Sequence, residues 1–307
     1  MAQMFMSSGE MIADRRFDYG RDLELRGDLA GAADLFMQAI ELIPDFASAW
    51  FALGDVRERQ GDKTGAIDAF QRAKAADGVD LLGADLRLLR LTGGKPGAMS
   101  RQYVAALYDQ YAPKFEKSLV GDLGYRGPAL LLDAVSAVCH AHARPMNFHR
   151  AIDLGCGTGL AARAFENCVE GFTGFDISAE MIKRAQATGL YDSVSIGDAV
   201  EQLAHQKDRC ADLVIAADMM IYIHDLAPLF AEAARVLKPS GLVAFTAETH
   251  DGDGVALGAG LRFAQSEAHL RGLLDDAGLL LARVDRASIR TERDVPVPSV
   301  VMVATKR

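Results

Sequence analysis

Apolar and polar positions follow two different rhythms along the chain. In the first third, apolar residues recur at helical spacing inside two blocks, Ala13–Phe46 and Ala47–Asp80, that align at a period of ~34 residues. Tyr19-Gly20 matches Leu53-Gly54, Gly27 matches Gly61, Ala32 matches Ala66, Phe36 matches Phe70 and Ala39 matches Ala73. Pro44 closes the first block where Gly78 stands in the second. The pattern predicts two helix pairs. Gly20 and Gly54 let paired helices approach, and Gly27-Asp28 and Gly61-Asp62 supply the turns. Ala32, Phe36 and Ala39 form one helical face at i, i+4, i+7, and Trp50 takes an aromatic position in the second block. Two such pairs leave an apolar face open, and 80–91 (DLLGADLRLLRL) predicts a capping helix over it. Thr92-Gly93-Gly94-Lys95-Pro96-Gly97 is rich in breakers, so the domain boundary is expected there, separating 1–97 from 98–307.

Beyond the linker the rhythm changes. Met99–Leu119 predicts a helix carrying Tyr103, Leu107, Tyr111 and Phe115 at every fourth position. Gly127–Ala143 predicts another, with Pro128 in its first turn. Short apolar runs then predict strands at His149–Leu154, Gly171–Phe175, Ser193–Gly197, Ala211–Ala216, Leu242–Thr246, Leu279–Arg286 and Ser299–Thr305. Helical segments are expected between them at Ala161–Cys168, Ala179–Ala187, Leu226–Leu237 and Ser266–Ala277. Such alternation predicts an α/β, Rossmann-like, doubly wound sheet of seven strands. Only Thr291–Pro298 separates the last two strands, too few residues for a helical crossover, so they should form an antiparallel C-terminal hairpin.

Composition narrows the classes. The chain has 307 residues, half of them apolar, and a formal net charge of −9, which argues against nucleic acid as a partner. No apolar run approaches the ~18 residues that span a bilayer, and no basic-then-apolar leader opens the chain. Cys139, Cys156, Cys168 and Cys210 are scattered without CxxC pairing, which predicts free thiols and a cytoplasmic protein.

Chemistry concentrates at Asp153-Leu154-Gly155-Cys156-Gly157-Thr158-Gly159, where the first strand should turn into a helix. Ligands of open parallel sheets collect at that end of the strands. Gly155, Gly157 and Gly159 allow a tight turn and close approach of a ligand to the backbone. Their GxGxG spacing differs from the GxGxxG of dinucleotide binders. Asp176 and Asp198 end the second and third strands. These residues resemble the class I S-adenosylmethionine-dependent methyltransferases, and the 34-residue blocks resemble the tetratricopeptide repeat. The first resemblance implies S-adenosyl-L-methionine as cofactor, with Asp176 and Ile177 at the ribose and Asp198 and Ala199 at the adenine. It places Asp153 at the methionine ammonium and Gly155, Cys156, Gly157 and Gly159 along the ligand. Arg235-Val236-Leu237-Lys238-Pro239-Ser240-Gly241 matches the family's helix-to-strand turn, with Ser240 in place of a frequent glycine.

The groups that carry the transfer are less marked. The resemblance puts substrate-facing residues in 216–225, where Tyr222 and His224 are candidate orienter and general base. The plainer reading is that His224-Asp225 caps the helix at Leu226. His140, His142 and His149 contain an HxH, yet no further ligand completes a metal site, so none is expected. Asp192 and Asp212 precede their strands and read as solvated loop carboxylates. The run Tyr103–Phe115 (YVAALYDQYAPKF) resembles the lid of small-molecule methyltransferases, which places Tyr103, Tyr108 and Tyr111 at the pocket. The glycine-rich loop Asp251–Gly260 is expected to form a mobile edge of the acceptor pocket.

Methyl transfer to a small-molecule acceptor, with the repeats serving oligomerisation or docking, follows as the leading expectation. Two alternatives stay open: a protein or peptide methyltransferase recruiting its substrate through the repeats, and a non-catalytic scaffold that binds the cofactor.

Overall fold

The computed structural model describes residues 5–94, 97–116, 121, 123–258, 260–292 and 294–307. Lys95 and Pro96 of the expected linker, residues 117–119 of the expected lid helix and Ala259 of the glycine-rich loop lie outside them. The chain forms two compact units, Met1–Leu107 and Tyr108–Arg307.

The first unit is built of helices α1 (Met11–Leu25), α2 (Leu29–Leu42), α3 (Ala47–Arg59), α4 (Lys63–Asp77) and α5 (Ala84–Thr92). Each pair turns the same way. Gly27 and Gly61 take φ of +85° and +83°, and Asp28 and Asp62 then cap the next helix by accepting from Gly31 N and Gly65 N at 3.0 and 2.9 Å. Phe36 and Phe70 are fully buried against Gly20 and Gly54, where a Cβ would lie 2.6 and 2.7 Å from the rings. Helix α5 seals the second pair through Ala84 and Leu88, which pack with Phe51, Phe70 and Leu82 of the preceding turn. It begins later than expected because Asp80 (φ +54°) and Gly83 (φ +76°) hold 80–83 as a turn.

Helix α6 (Arg101–Tyr111) spans the division between the two units. It stops well short of the expected end: Pro113 cannot donate into an α-helical ladder, and Ala112–Lys114 form a 3-10 turn.

The second unit opens with α7 (Gly127–Ala141) and continues as β1 (Ala151–Leu154), α8 (Leu160–Phe165), β2 (Phe172–Asp176), α9 (Ala179–Ala187), β3 (Ser193–Ile196), α10 (Ala199–Ala204), β4 (Ala211–Ala216), α11 (Ala227–Val236) and β5 (Leu237–Glu248). There follow β6 (Val255–Leu257), β7 (Phe263–Gln265), α12 (Glu267–Asp276), β8 (Leu279–Glu292) and β9 (Val295–Lys306). The sheet runs β3-β2-β1-β4-β5-β9-β8, parallel through β5 and antiparallel at β9 and β8. Strand order reverses between β1 and β4, which opens a crevice at their carboxyl ends.

Alternate strand residues feed two cores. Ile152, Val214, Val243 and Met302 pack with Phe230 of α11 and Leu274 of α12 on one face. Ala151, Ile215, Ala244 and Val303 pack with Val135 of α7 and Phe165 of α8 on the other.

Several expectations need correction. Helix α10 and the β6–β7 pair were not foreseen, and β6 lies inside the stretch expected as a glycine-rich loop. The expected loop at 291–298 is largely strand. A register shift between Ser288 and Thr291 accommodates Pro296 and Pro298, which have no N–H for the ladder. Asp212 is the second residue of β4, where it accepts from Arg150 N at 2.9 Å and pairs with Lys238 at 2.9 Å. Ser240 adopts φ +62°, the conformation that favours glycine at this turn.

Candidate functional site

The turn after β1 is stitched to the end of β2. Cys156 N donates to Phe175 O at 2.9 Å, and Gly157 N donates to Asp176 Oδ2 at 2.9 Å. Gly155, Gly157 and Gly159 all take positive φ, of +63°, +54° and +91°. A Cβ at Gly155 would meet Met219 Cβ at 2.6 Å, so the turn needs glycine for both conformation and space.

Three carboxylates sit near the carboxyl ends of three adjacent strands, Asp153 within β1, Asp176 at the end of β2 and Asp198 just past β3. Asp153 is fully buried, with Oδ2 accepting from the Tyr191 hydroxyl at 2.7 Å. Its Oδ1 and the Thr158 hydroxyl have no hydrogen-bond partner among the described residues. Asp176 is oriented by Gly157 N and by Ser178 N, which donates to Oδ1 at 2.9 Å. Ile177 lies between them, and Ser178 caps α9 by accepting from Met181 N at 3.1 Å. Asp198 Oδ1 accepts from Val200 N and Glu201 N at 3.0 and 3.1 Å, so the residue also caps α10, whose first residue is the buried Ala199.

Burial dominates the electrostatics here. It pushes Asp153 up to about 7, against the Tyr191 hydrogen bond and with the nearby Asp176 charge. Asp176 is likewise pushed up by burial to about 6, opposed by the Ser178 and Gly157 N–H groups. A cationic ligand group would reverse the cost at Asp153. The orphaned Asp153 Oδ1 and Thr158 Oγ1, beside a glycine turn, fit the polar end of an amino-acid-bearing nucleoside such as S-adenosylmethionine.

The end of α6 reaches this region within the second unit. Asp109 Oδ1 accepts from Ser178 Oγ at 2.5 Å and from Glu180 N at 3.1 Å. Phe115 lies 3.8 Å from where a Gly157 Cβ would sit, and Tyr111 meets Phe115 edge-on at 5.6 Å. Tyr108 donates its hydroxyl to Tyr222 at 2.8 Å. Tyr103 falls in the first unit, where its ring lies against Gly83.

The ends of β4, β5 and β8 carry a second polar group. Arg290, only 3% exposed, pairs with Asp218, Glu248 and Glu292. Arg262 pairs with Glu292, lies 3.7 Å from Glu248 and hydrogen-bonds Tyr222. Asp218 takes φ +57° and donates its N–H to Thr246 Oγ1 at 2.9 Å. Burial raises Asp218 and Tyr222, only partly offset by the guanidinium charges. The Tyr222 hydroxyl is thus held by Tyr108 and Arg262 rather than by His224, whose half-buried ring meets Phe263 edge-on at 5.4 Å. Asp225 alone serves the following helix, accepting from Ala227 N at 3.0 Å. His149, the third histidine of the metal-like set, lies 2.6 Å from Glu170 on the surface.

Sequence reasoning missed Asp109, Tyr191, Arg262 and Arg290. Asp109 adjoins Tyr108 in the lid run and was within reach. Arg290 sits in an alternating strand, where nothing distinguishes a buried cation from a solvated one.

Comparison with known proteins bears on the domains and the fold. A family model for the methyltransferase domain matches residues 152–245, and one for the tetratricopeptide repeat matches residues 17–80. The ubiquinone biosynthesis O-methyltransferase of Xanthomonas oryzae pv. oryzae is 32% identical over 95 residues, 30% of this chain and 40% of that protein. Human methyltransferase-like protein 27 is 32% identical over 152 residues, covering 47% of this chain and 57% of that one. The chain thus spans about two fifths of the first relative and just over half of the second. The crystal structure of Burkholderia thailandensis 1,6-didemethyltoxoflavin-N1-methyltransferase, with bound 1,6-didemethyltoxoflavin and S-adenosylhomocysteine, superposes with a TM-score of 0.51 at 19% identity. That match covers 69% of this chain and 92% of that one, and it speaks for the fold. The chain therefore joins a region that matches the tetratricopeptide repeat, residues 17–80, to one that matches the methyltransferase domain, residues 152–245.

Proposed function

We propose that the chain transfers the methyl group of S-adenosylmethionine to a small-molecule acceptor. The observation that carries this reading is the buried Asp153 with one unpartnered oxygen, beside the glycine turn and in line with Asp176 and Asp198. In this reading Asp153 and Thr158 hold the methionine end, Asp176 the ribose, and Asp198 and Ala199 the adenine. The cofactor, when bound, supplies an electrophilic methyl group on a sulfonium. The chain's own share is to orient that methyl and exclude water, since in-line displacement draws most of its rate from positioning. Tyr108, Tyr111 and Phe115 serve as the cover.

The acceptor end is assigned to the residues around Tyr222 and Asp218. Tyr222 stays protonated at neutral pH because burial raises it, so it orients the acceptor rather than taking a proton. His224 is then the base for an acceptor that must lose one, with Asp225 alone spent on the helix cap. The repeats are read as an oligomerisation or docking module, which light scattering and partner capture with the full chain would show.

Incubation with methyl-labelled S-adenosylmethionine and fractionated metabolites, peptides and proteins tests the activity. Label should enter a small-molecule fraction, and Asp176→Ala should reduce it by at least about a hundredfold, the order expected when positioning is lost. Label confined to protein would favour recruitment through the repeats. Cofactor binding without transfer to any fraction would favour a scaffold.

A further inference from the structure

Tyr191 lies in the turn between α9 and β3, outside the glycine motif in sequence. Its hydroxyl donates to Asp153 Oδ2 at 2.7 Å. Its ring occupies the room left by two glycines: a Cβ at Gly174 would lie 2.8 Å from it, and one at Gly159 3.3 Å. Phe172 meets it edge-on at 5.9 Å, and Cys156, Ile182 and Ala185 pack around it. The side chain is held from several sides, so the Asp153 oxygen it engages is held as well. The other carboxylate oxygen, Oδ1, is buried and has no partner among the described residues.

We propose that Tyr191 is a cofactor-positioning residue, fixing Asp153 through Oδ2 so that Oδ1 is presented to the methionine ammonium of S-adenosylmethionine. The proposal rests on the reading of the site given above. A tyrosine that only filled space would not need its hydroxyl on Asp153. Here the hydroxyl selects one of two otherwise equivalent oxygens, and it stabilises the charged form, which alone attracts an ammonium.

The groups facing Asp153 set how this varies with pH. Asp176 and Cys156 lie on the glycine-turn side, Tyr191 comes from the α9–β3 turn, and Tyr125 precedes α7. Burial brings Asp153 up to about 7 and the Tyr191 hydroxyl pulls it down. Removing that hydroxyl raises it further. Affinity for an ammonium-bearing ligand falls as pH drops through about 7 in the native protein, and the fall begins at higher pH in the variant.

Tyr191→Phe keeps the ring and its packing. Calorimetry of the full chain with S-adenosylhomocysteine and with 5′-methylthioadenosine, which lacks the amino-acid end, separates positioning from packing. Loss of a hydrogen bond to a charged group should weaken S-adenosylhomocysteine by about tenfold at pH 7, and by more at pH 6.5 than at pH 8.5. Methylthioadenosine should stay within about twofold. Carbon NMR of labelled aspartate in the ligand-free variant should show Asp153 titrating at higher pH. Equal weakening of both ligands, or no change in either, overturns the proposal while leaving the cofactor reading intact. Native protein that binds neither ligand overturns both.

Discussion

At the scale of single residues, the energetic weight lies with groups that burial has separated from water. Arg290 is held by Asp218, Glu248 and Glu292, and Arg262 shares the last two, so two guanidiniums meet three carboxylates at the ends of β4, β5 and β8. Replacing one partner of such a group strands the others. Arg290→Met should cost about 3–5 kcal/mol in urea unfolding at pH 7. The loss should shrink at acid pH, where Asp218 and Glu248, both raised by burial, take up protons and no longer need the cation. An unchanged midpoint would mean that the cluster is solvated. Of these residues the sequence reading reached only Asp218, inside the stretch given to the acceptor, because a strand pattern records alternation and not which charges turn inward. Asp153, Asp176 and Asp198 were legible for the opposite reason: each follows a short apolar run, and an acidic residue at a strand end has no packing rationale. Their hydrogen bonds were not legible, since the Tyr191 hydroxyl reaches Asp153 from the turn between α9 and β3.

At the scale of elements, close helix contacts depend on what glycine leaves out. Gly54→Ala places a Cβ 2.7 Å from Phe70 at the crossing of α3 and α4. The helix-propensity gain of ~1 kcal/mol is outweighed by overpacking of about 1–3 kcal/mol, so a net loss is expected. Gly272 of α12 has nothing within 4 Å of a Cβ, and Gly272→Ala should stabilise by up to ~1 kcal/mol. Thermal unfolding of the two variants checks the pair, and shifts of the same sign would contradict it. The repeats could be read because their glycines and phenylalanines return at a fixed period. Helix α10 and the pair β6–β7 could not. The first spans only Ala199–Ala204, and the second rests on three-residue strands inside a glycine-rich stretch. The expected run Met99–Leu119 is interrupted after Tyr111, because the four-residue apolar period continues past Pro113, where the ladder cannot.

At the scale of the whole chain, strand–helix alternation was enough to give the doubly wound sheet, and the short final connection gave its antiparallel edge. What unites the second unit is the reversal of strand order between β1 and β4, which gathers Asp153, Asp176 and Asp198 on one side and Asp218 on the other. The central claim is that this crevice takes S-adenosylmethionine rather than a nicotinamide dinucleotide. Titration calorimetry of the full chain with S-adenosylhomocysteine and with NAD at pH 8 tests it most directly. Saturable binding of S-adenosylhomocysteine with one site per chain, abolished by Asp176→Ala, and no binding of NAD are expected. Binding of NAD without binding of S-adenosylhomocysteine would contradict it.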